Sequence, residues 1–363
     1  SVTPLAKLDG MAGQLGLGGL FVKDESYRFG LNAFKVLGGS FAMAKYIAKE
    51  MGKDVSEMTY DYLTSKKFRD DFGQATFFTA TDGNHGRGVA WAANKLGQKA
   101  VVHMPKGSTQ TRFDNIAKEG ASVTIEELNY DDCVRLAAKE AAETPHGVIV
   151  QDTAWDGYEE IPSWIMQGYG SMAGEAAEQL REVEVNRPTH VFVQAGVGSL
   201  AGGVVGYFAN LYPNNPPKFI VMEAGAADCL YKGAEAGDGE PRIVGGDLQT
   251  IMAGLACGEP NTIGWDILRN HVSAFISCPD WVSAKGMRML AAPVKGDPSV
   301  TSGESGAVGM GVISSIMTDD AYKELREALE LDNSSQVLMF STEGDTDPDK
   351  YKKIVWGGEY PTV

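Results

Sequence analysis

The feature of this sequence that most restricts its fold is a recurring order: a short apolar segment, a turn with glycine, then a helical segment. The clearest examples are 76–79 before 83–96, 100–104 before 110–120, and 190–194 before 196–211. Further buried strands are predicted at 219–222, 274–278 and 337–341. Apolar strands that alternate with helices are typical of parallel sheets covered on both faces. The order predicts an α/β fold.

Composition and charge make several functions improbable for such a fold. The 363 residues are 43% hydrophobic, which is enough for a large core, and the formal net charge is −16. A chain this acidic has little nonspecific attraction for nucleic-acid phosphates. It contains no apolar run of the ~18–20 residues that a membrane-spanning helix needs, and residues 1–19 lack the pattern of a secretory signal. We therefore expect a cytoplasmic enzyme with a small-molecule substrate, and no nucleic-acid or membrane partner.

The four cysteines are widely spaced and form no CxxC pair, so they predict no metal site. Thiols in a reducing cytosol are the expected state. A bridge between Cys229 and Cys257 stays open as an alternative, because both lie in Gly/Ala-rich segments.

A lysine near the start of the chain is the first candidate for chemistry. Lys35 stands between apolar residues in the segment NAFKVLGG, before the glycine pair Gly38-Gly39 and a helix predicted at 41–51. Burial lowers the pKa of a lysine, because the charged form loses hydration. A less protonated amine can attack an aldehyde and form an imine. The alternative is a structural lysine whose aliphatic stem passes a helix start.

The segment TDGNHGRG at 81–88 directly follows a predicted strand and opens a helix. Backbone N–H groups at a helix N-terminus bind carboxylates and phosphates. Asn84 adds a donor and an acceptor that can address a phenolic oxygen. Asp82 is unusual in an anion-binding turn; it has a task of its own, or it is a helix cap.

A second glycine-rich turn, QAGVGSLAGG at 194–203, follows the strand predicted at 190–194. Its glycines let the backbone approach a phosphate at a helix N-terminus. The pattern also fits a dinucleotide fingerprint, and Glu223 lies about where the ribose-binding acid of such folds is expected. An NAD-binding oxidoreductase is therefore an alternative, although it leaves Lys35 and Asn84 without a role.

Two late turns of small residues, TSGESGA at 301–307 and FSTEGD at 340–345, complete the candidate segments. A hydroxyl such as that of Ser341, at the end of a buried strand, can meet a pyridine nitrogen without fully protonating it. Plain turn chemistry is the alternative.

In this order, these segments resemble the fold-type II enzymes that depend on pyridoxal 5′-phosphate (PLP), the family of tryptophan synthase β and threonine dehydratase. The resemblance covers nearly the whole chain. Within the family, five motifs are similar to those of the 2,3-diaminopropionate ammonia-lyases: NAFKVLGG, TDGNHGRG, QDTAWDGY, QAGVGSLAGG and STEGDTD. Asp82 departs from the general dehydratases, which usually have a small neutral residue there.

The resemblance implies a role for each candidate residue. Lys35 would form the Schiff base with PLP and act as a base at Cα, Asn84 would bind the phenolic oxygen, and Ser341 would meet the ring nitrogen. Asp82 would be a second catalytic base, and Asp152 would both bind the second amine of the substrate and take part in catalysis. The substrate α-carboxylate would bind the turn formed by Thr81, Asp82, Gly83 and His85. The phosphate would bind Gly196, Val197, Gly198, Ser199 and Leu200.

The implied reaction is α,β-elimination of 2,3-diaminopropionate to pyruvate and two ammonia, with Lys35 serving one enantiomer and Asp82 the other. A dehydratase or desulfhydrase acting on serine, threonine or cysteine is the alternative within PLP chemistry. The family also implies a homodimer and two lobes, with a small domain at 37–165 inserted between parts of a large domain at 1–36 and 166–363. No metal site is expected.

Overall fold

The computed structural model describes residues 2–363, and they divide into two compact units. Unit 1 runs from the start of the described chain to Phe34 and continues over Gly170–Val363. Unit 2 is Lys35–Tyr169. Each unit is built around its own sheet.

The strands of the described chain are β1 Leu5–Lys7, β2 Gly19–Asp24, β3 Thr76–Ala80, β4 Lys99–Met104, β5 Ser122–Ile125, β6 Gly147–Ile149, β7 His190–Gln194, β8 Lys218–Ala224, β9 Val272–Cys278 and β10 Gln336–Ser341.

The α-helices of the described chain are α1 Asp9–Leu15, α2 Val36–Glu50, α3 Tyr60–Leu63, α4 Lys66–Phe72, α5 Asn84–Lys95, α6 Gln110–Ala117, α7 Tyr130–Glu143, α8 Glu160–Glu182, α9 Ser199–Leu211, α10 Cys229–Ala236, α11 Thr262–His271, α12 Asp280–Ala291, α13 Val308–Thr318, α14 Lys323–Ala328 and α15 Pro348–Val355. Short 3₁₀ helices lie at Glu25–Gly30, Val55–Glu57, Ala253–Leu255 and Asp320–Tyr322.

The sheet of unit 1 has, within residues 2–363, the strand order β1-β2-β10-β7-β8-β9. All neighbouring pairs are parallel except β1 with β2. Every residue of β2 and β7 is buried, as expected for central strands with both faces covered. Because β7 and β10 are parallel neighbours, the loops that follow Gln194 and Ser341 leave the sheet at the same edge.

The sheet of unit 2 is parallel throughout, in the order β5-β4-β3-β6 over the described residues. The α/β prediction is confirmed, and the strands predicted at 76–79, 100–104, 190–194 and 337–341 all form within a residue or two of their expected ends.

The glycine pair after Lys35 lies within a helix, whereas we predicted that it precedes one. We predicted a helix at 41–51 preceded by Gly38-Gly39, but α2 begins at Val36 and contains both glycines. A Cβ atom on Gly38 would lie 2.6 Å from the ring of Tyr169, and one on Gly39 would lie 3.4 Å from Val89. The pair therefore permits close packing of this helix against its neighbours.

No helix among residues 2–363 is long and apolar enough to cross a membrane. The described cysteines form no disulfide, and the Sγ atom of Cys229 lies 3.9 Å from the carbonyl oxygen of Cys257. A bridge between these two cysteines is therefore absent from this structure.

Candidate active site

Polar residues of unit 2 meet where two adjacent strands end. β3 and β6 are parallel neighbours, so the residues after Ala80 and after Ile149 emerge at the same edge of the sheet. Gln151 fixes this arrangement: its Oε1 accepts hydrogen bonds from the N–H of Ala80 (2.9 Å) and from the hydroxyl of Thr79 (3.0 Å). The edge thus brings the turn at 81–85 next to Asp152, as the carboxyl ends of parallel strands commonly do at ligand sites.

Lys35 and Asp152 form an ion pair at this edge, in which Lys35 Nζ contacts Asp152 Oδ2. The side chain of Lys35 is 18% exposed and that of Asp152 is 3% exposed. Burial acts to lower the pKa of Lys35, but the negative charge of Asp152 outweighs it, with help from Tyr169 and Asp82, and the pKa is raised. Burial likewise acts to raise the pKa of Asp152, and the positive charge of Lys35 holds it well below its ordinary value.

Our prediction that burial would lower the pKa of Lys35 is therefore wrong in sign. The apolar sequence neighbours of Lys35 do not decide this pKa, because Asp152, 117 residues away along the chain, contacts the amine. Lys35 must lose a proton before its nitrogen can bond to an aldehyde carbon, and Asp152 is an acceptor in contact with it.

The other oxygen of Asp152 is held by two donors that sequence reasoning missed. The hydroxyl of Tyr130 donates to Asp152 Oδ1 (3.3 Å), and Gln151 Nε2 donates to the same oxygen (3.3 Å). Gln151 Nε2 also donates to the hydroxyl oxygen of Tyr130 (2.8 Å), so the single proton of that hydroxyl points to Asp152. Both donors favour the ionised carboxylate. Gln151 was visible in QDTAWDGY, but nothing in the sequence connected Tyr130 to it.

Asp82 lies in the turn after β3 beside Arg112, another residue that the sequence did not reveal. Arg112 Nη1 is 3.6 Å from Asp82 Oδ2 and donates to the backbone carbonyl of Asp82 at 3.4 Å. The side chain of Asp82 is 24% exposed, compared with 3% for Asp152. The turn therefore carries a partly exposed carboxylate with a cationic neighbour.

The turn itself uses part of the anion-binding capacity that we predicted. The hydroxyl oxygen of Thr81 accepts from the N–H of Gly83 (2.9 Å) and of Gly86 (3.0 Å). The N–H of Gly83 is thus already hydrogen-bonded within the turn. The imidazole of His85 is also turned inward, since its Nε2 lies 2.7 Å from the carbonyl oxygen of Val150. Asn84 is the first residue of α5 and is half-buried.

In unit 1, the glycine-rich loop predicted to bind phosphate leads directly into α9. Gly198 is the N-cap residue of α9 and has a φ of +98°, a left-handed conformation that favours glycine. A glycine N-cap supplies no side-chain acceptor, so the N–H groups of the first turn of α9 can point at an anion. Asn261 braces the loop: its N–H donates to the carbonyl of Val197 (2.7 Å), and its Nδ2 donates to the hydroxyl of Ser199 (2.7 Å).

At the adjacent strand end, Ser341 is fully buried and its hydroxyl donates to that of Ser302 (2.7 Å). The next residue, Thr342, accepts a hydrogen bond from Gln194 Nε2 (3.0 Å). Gln194 thereby ties the end of β7 to the loop after β10. Hydroxyl groups of the turns at 301–307 and 340–345 therefore lie together at this edge, and Thr342 joins Ser341 as a candidate.

Glu223 does not have the role that the NAD-binding alternative required. Its carboxylate accepts from the N–H groups of Leu230 (2.9 Å) and Tyr231 (2.7 Å) in the first turn of α10. It is fully buried, and burial raises its pKa to about 8. Because the helix N-terminus occupies both oxygens, Glu223 stabilises α10 and is not exposed to a ribose.

These residues fit PLP. Unit 2 offers a lysine amine in a polar, largely buried setting, and unit 1 offers a glycine-rich helix N-terminus for a phosphate together with neutral hydroxyls for a pyridine nitrogen. Residues 1–343 match the family described as "Pyridoxal-phosphate dependent enzyme". The chain belongs to this family. Its cofactor is PLP, and the NAD-binding alternative is wrong.

Relatives from enteric bacteria cover nearly the whole chain. Diaminopropionate ammonia-lyase of Salmonella typhimurium (strain LT2) is 54% identical over 359 residues, which cover 99% of this chain and 89% of the relative. A crystal structure of diaminopropionate ammonia lyase from Escherichia coli in complex with D-serine is 48% identical, with a TM-score of 0.93, and covers 100% of this chain and 90% of that one. A structure of the E. coli enzyme with an aminoacrylate-PLP azomethine reaction intermediate has a TM-score of 0.89 at 49% identity, covering 99% and 88%.

Proposed function

We propose that this enzyme catalyses α,β-elimination of 2,3-diaminopropionate, followed by hydrolysis with one water, to give pyruvate and two ammonia, with Asp152 as the carboxylate that receives the second amine. The observation that carries the proposal is the contact between Asp152 Oδ2 and a primary ammonium, that of Lys35. An ionised, buried carboxylate already holding an alkylammonium has the chemistry needed for a substrate with a β-ammonium group. The relatives at 54% and 48% identity carry the name of this activity.

The residues of each unit have distinct tasks toward the cofactor. When bound, PLP accepts the electrons left at Cα after proton removal. Lys35 holds the cofactor covalently, Asn84 binds its phenolic oxygen, and the hydroxyl of Ser341 addresses its ring nitrogen. The phosphate is bound by the loop of Gly196, Val197, Gly198, Ser199 and Leu200.

The substrate protons are handled by Lys35, Asp82 and Asp152. Lys35 Nζ removes the Cα proton of one enantiomer, and a carboxylate oxygen of Asp82 removes that of the other. Arg112 places a positive charge 3.6 Å from a carboxylate oxygen of Asp82. Asp152 Oδ2 binds the β-ammonium until it departs as ammonia.

A substrate panel tests the proposal. Pyruvate release from D- and L-2,3-diaminopropionate is compared with 2-oxo acid release from serine, threonine and cysteine, using the PLP-loaded enzyme. We expect kcat/KM for diaminopropionate to exceed that for every other substrate by at least about tenfold. Equal or faster release from a hydroxyl or thiol substrate would assign the enzyme to the dehydratases or desulfhydrases instead.

Elimination of water from D-serine is the second candidate, because the E. coli relative has been crystallised with that amino acid. A neutral hydroxyl gains less from an anionic Asp152 than an ammonium does, so this candidate ranks lower.

We further infer that the enzyme is a cytoplasmic homodimer, as the family resemblance suggests, and that its small domain occupies about residues 37–165. Light scattering of the purified enzyme at several concentrations tests the dimer.

A further inference from the structure

One ring nitrogen of His85, Nδ1, has no part in the proposed reaction. His85 lies in the first turn of α5 and is 2% exposed. Its Nε2 lies 2.7 Å from the carbonyl oxygen of Val150. A carbonyl oxygen only accepts hydrogen bonds, so Nε2 carries the proton and Nδ1 carries a lone pair in the neutral ring. Among the described residues, Nδ1 has no hydrogen-bond partner.

The surroundings of His85 favour this neutral ring. Burial lowers the pKa of His85, and the negative charge of Asp152 opposes that effect without reversing it. Such a ring is a fixed acceptor, because turning Nδ1 into a donor would require either a second proton or loss of the bond to Val150. A buried acceptor without a donor is costly, which indicates that something in the working enzyme donates to it.

The lone pair of His85 lies near the oxygen that holds the Lys35 ammonium. Nδ1 is 3.9 Å from Asp152 Oδ2, and Lys35 Nζ contacts that same oxygen. The opposite oxygen, Oδ1, already accepts from Tyr130 and Gln151. The neutral acceptor His85 Nδ1 therefore lies close to the ion pair of Lys35 and Asp152 in unit 2.

We propose that His85 Nδ1 and Asp152 Oδ2 form a paired acceptor site for the β-ammonium of the substrate, and that His85 selects amine over hydroxyl leaving groups. This inference rests on the proposed function. In the ligand-free enzyme Lys35 Nζ places its own ammonium on Asp152. Lys35 is the covalent anchor of the cofactor, so a substrate ammonium can then take its place at Asp152.

The number of donors explains the selectivity. An alkylammonium has three N–H donors and satisfies both acceptors at once, whereas the hydroxyl of serine has one proton and leaves one acceptor unmet. A site with a buried acceptor left unmet discriminates strongly against the poorer donor. The carboxylate supplies the charge preference, and the imidazole adds the preference for a second donor.

Two substitutions separate this role from a purely structural one. His85→Gln can keep a donor to the carbonyl of Val150, because its Nε2 lies near the position of the histidine Nε2, but it has no acceptor at the Nδ1 position. His85→Asn does the reverse, because its Oδ1 lies near the position of Nδ1 and its side chain is too short to reach Val150. Visible absorbance confirms that each variant carries bound PLP before it is compared.

Two readouts are compared for the wild type and both variants: the ratio of kcat/KM for diaminopropionate to that for D-serine, and equilibrium binding of α-methyl analogues. α-Methyl-2,3-diaminopropionate and α-methylserine lack the Cα proton, so they bind without turnover and their Kd values follow from absorbance titration. We expect His85→Gln to lower the kcat/KM ratio by about tenfold to hundredfold, the scale of a hydrogen bond to a charged group. It should weaken the binding of α-methyl-2,3-diaminopropionate by a similar factor. His85→Asn, which keeps an acceptor at the Nδ1 position, should lose at least about threefold less than His85→Gln on both readouts.

The opposite pattern overturns the inference. If His85→Asn loses more activity than His85→Gln, or if His85→Gln lowers kcat/KM equally for diaminopropionate and D-serine, then His85 only anchors Val150. Failure of the proposed function looks different, since in that case the wild-type enzyme itself does not favour diaminopropionate over serine.

Discussion

The candidate residues of the two units differ in the chemical groups that they offer. Unit 1 contributes backbone N–H groups and neutral hydroxyls, in the loop that leads into α9 and at the end of β10. Unit 2 contributes charges whose pKa values depend on each other, with Lys35 and Asp152 in contact and Asp82 beside Arg112. We propose a division of labour, in which unit 1 binds the phosphate and the ring nitrogen of the cofactor, and unit 2 anchors the cofactor through Lys35 and moves protons.

If that comparison is right, substitutions in unit 2 mainly change rates, and those in unit 1 mainly change cofactor affinity. The largest effect is expected at Lys35. Lys35→Ala removes both the covalent anchor and one base, so we expect kcat to fall by about 10⁴-fold or more. The control Lys99→Ala, an exposed lysine on β4, should keep full activity. Residual activity in Lys35→Ala above about one per cent contradicts the central role of this amine.

Asp82→Asn is expected to slow elimination from the two enantiomers of diaminopropionate to different extents. Removing a general base costs about 10²- to 10⁴-fold, so we expect D-diaminopropionate to lose about that much while the L-isomer loses less than about tenfold. Pyruvate release from each pure enantiomer measures it, with Asp61→Asn on the exposed surface of α3 as control. Equal losses on both isomers would refute the assignment of one base to each face.

Gly198→Ala tests the contribution of unit 1 to PLP binding. A side chain at φ +98° costs about 1–2 kcal/mol, and the new Cβ would lie 3.3 Å from Leu230 and Leu268. We expect PLP to bind about tenfold more weakly, with kcat at saturating PLP reduced less than about threefold. Gly206→Ala in the same helix is the matched control, since its Cβ would meet nothing closer than 3.9 Å. A large fall in kcat with unchanged PLP affinity would contradict the assignment of cofactor affinity to unit 1.

Tyr130→Phe is expected to have the smallest effect. The hydroxyl of Tyr130 helps to keep the pKa of Asp152 low, so its loss raises that pKa. Because a depressed carboxylate pKa favours the ionised form down to lower pH, the acid side of the kcat/KM profile should move to higher pH in the variant. We expect a loss of about three- to tenfold near neutral pH, and none for Tyr60→Phe, whose side chain is exposed. A uniform loss at every pH would mean that Tyr130 acts through packing alone.

The local pattern of the chain was enough to predict the α/β class and most strands, because periodicity and glycine turns are encoded within a few residues. It also predicted that a glycine-rich loop precedes a helix at 199–211, as the structure shows, and together with the family resemblance it made Lys35, Asp82 and Asp152 candidates. The local sequence was insufficient where distant residues form the environment: Gly38-Gly39 was expected to precede a helix, but it lies within a helix packed on Tyr169.

The order of residues along the chain therefore determined which chemical groups this enzyme has and on which strand ends they lie. Only the folded structure decided which of them touch. The pairing of β3 with β6 brings Asp152 to the turn after Ala80, and contact with Asp152 raises the pKa of Lys35 where its apolar sequence neighbours implied the opposite. The reason is that electrostatic interaction depends on distance in space and on the surrounding dielectric, and separation along the sequence specifies neither.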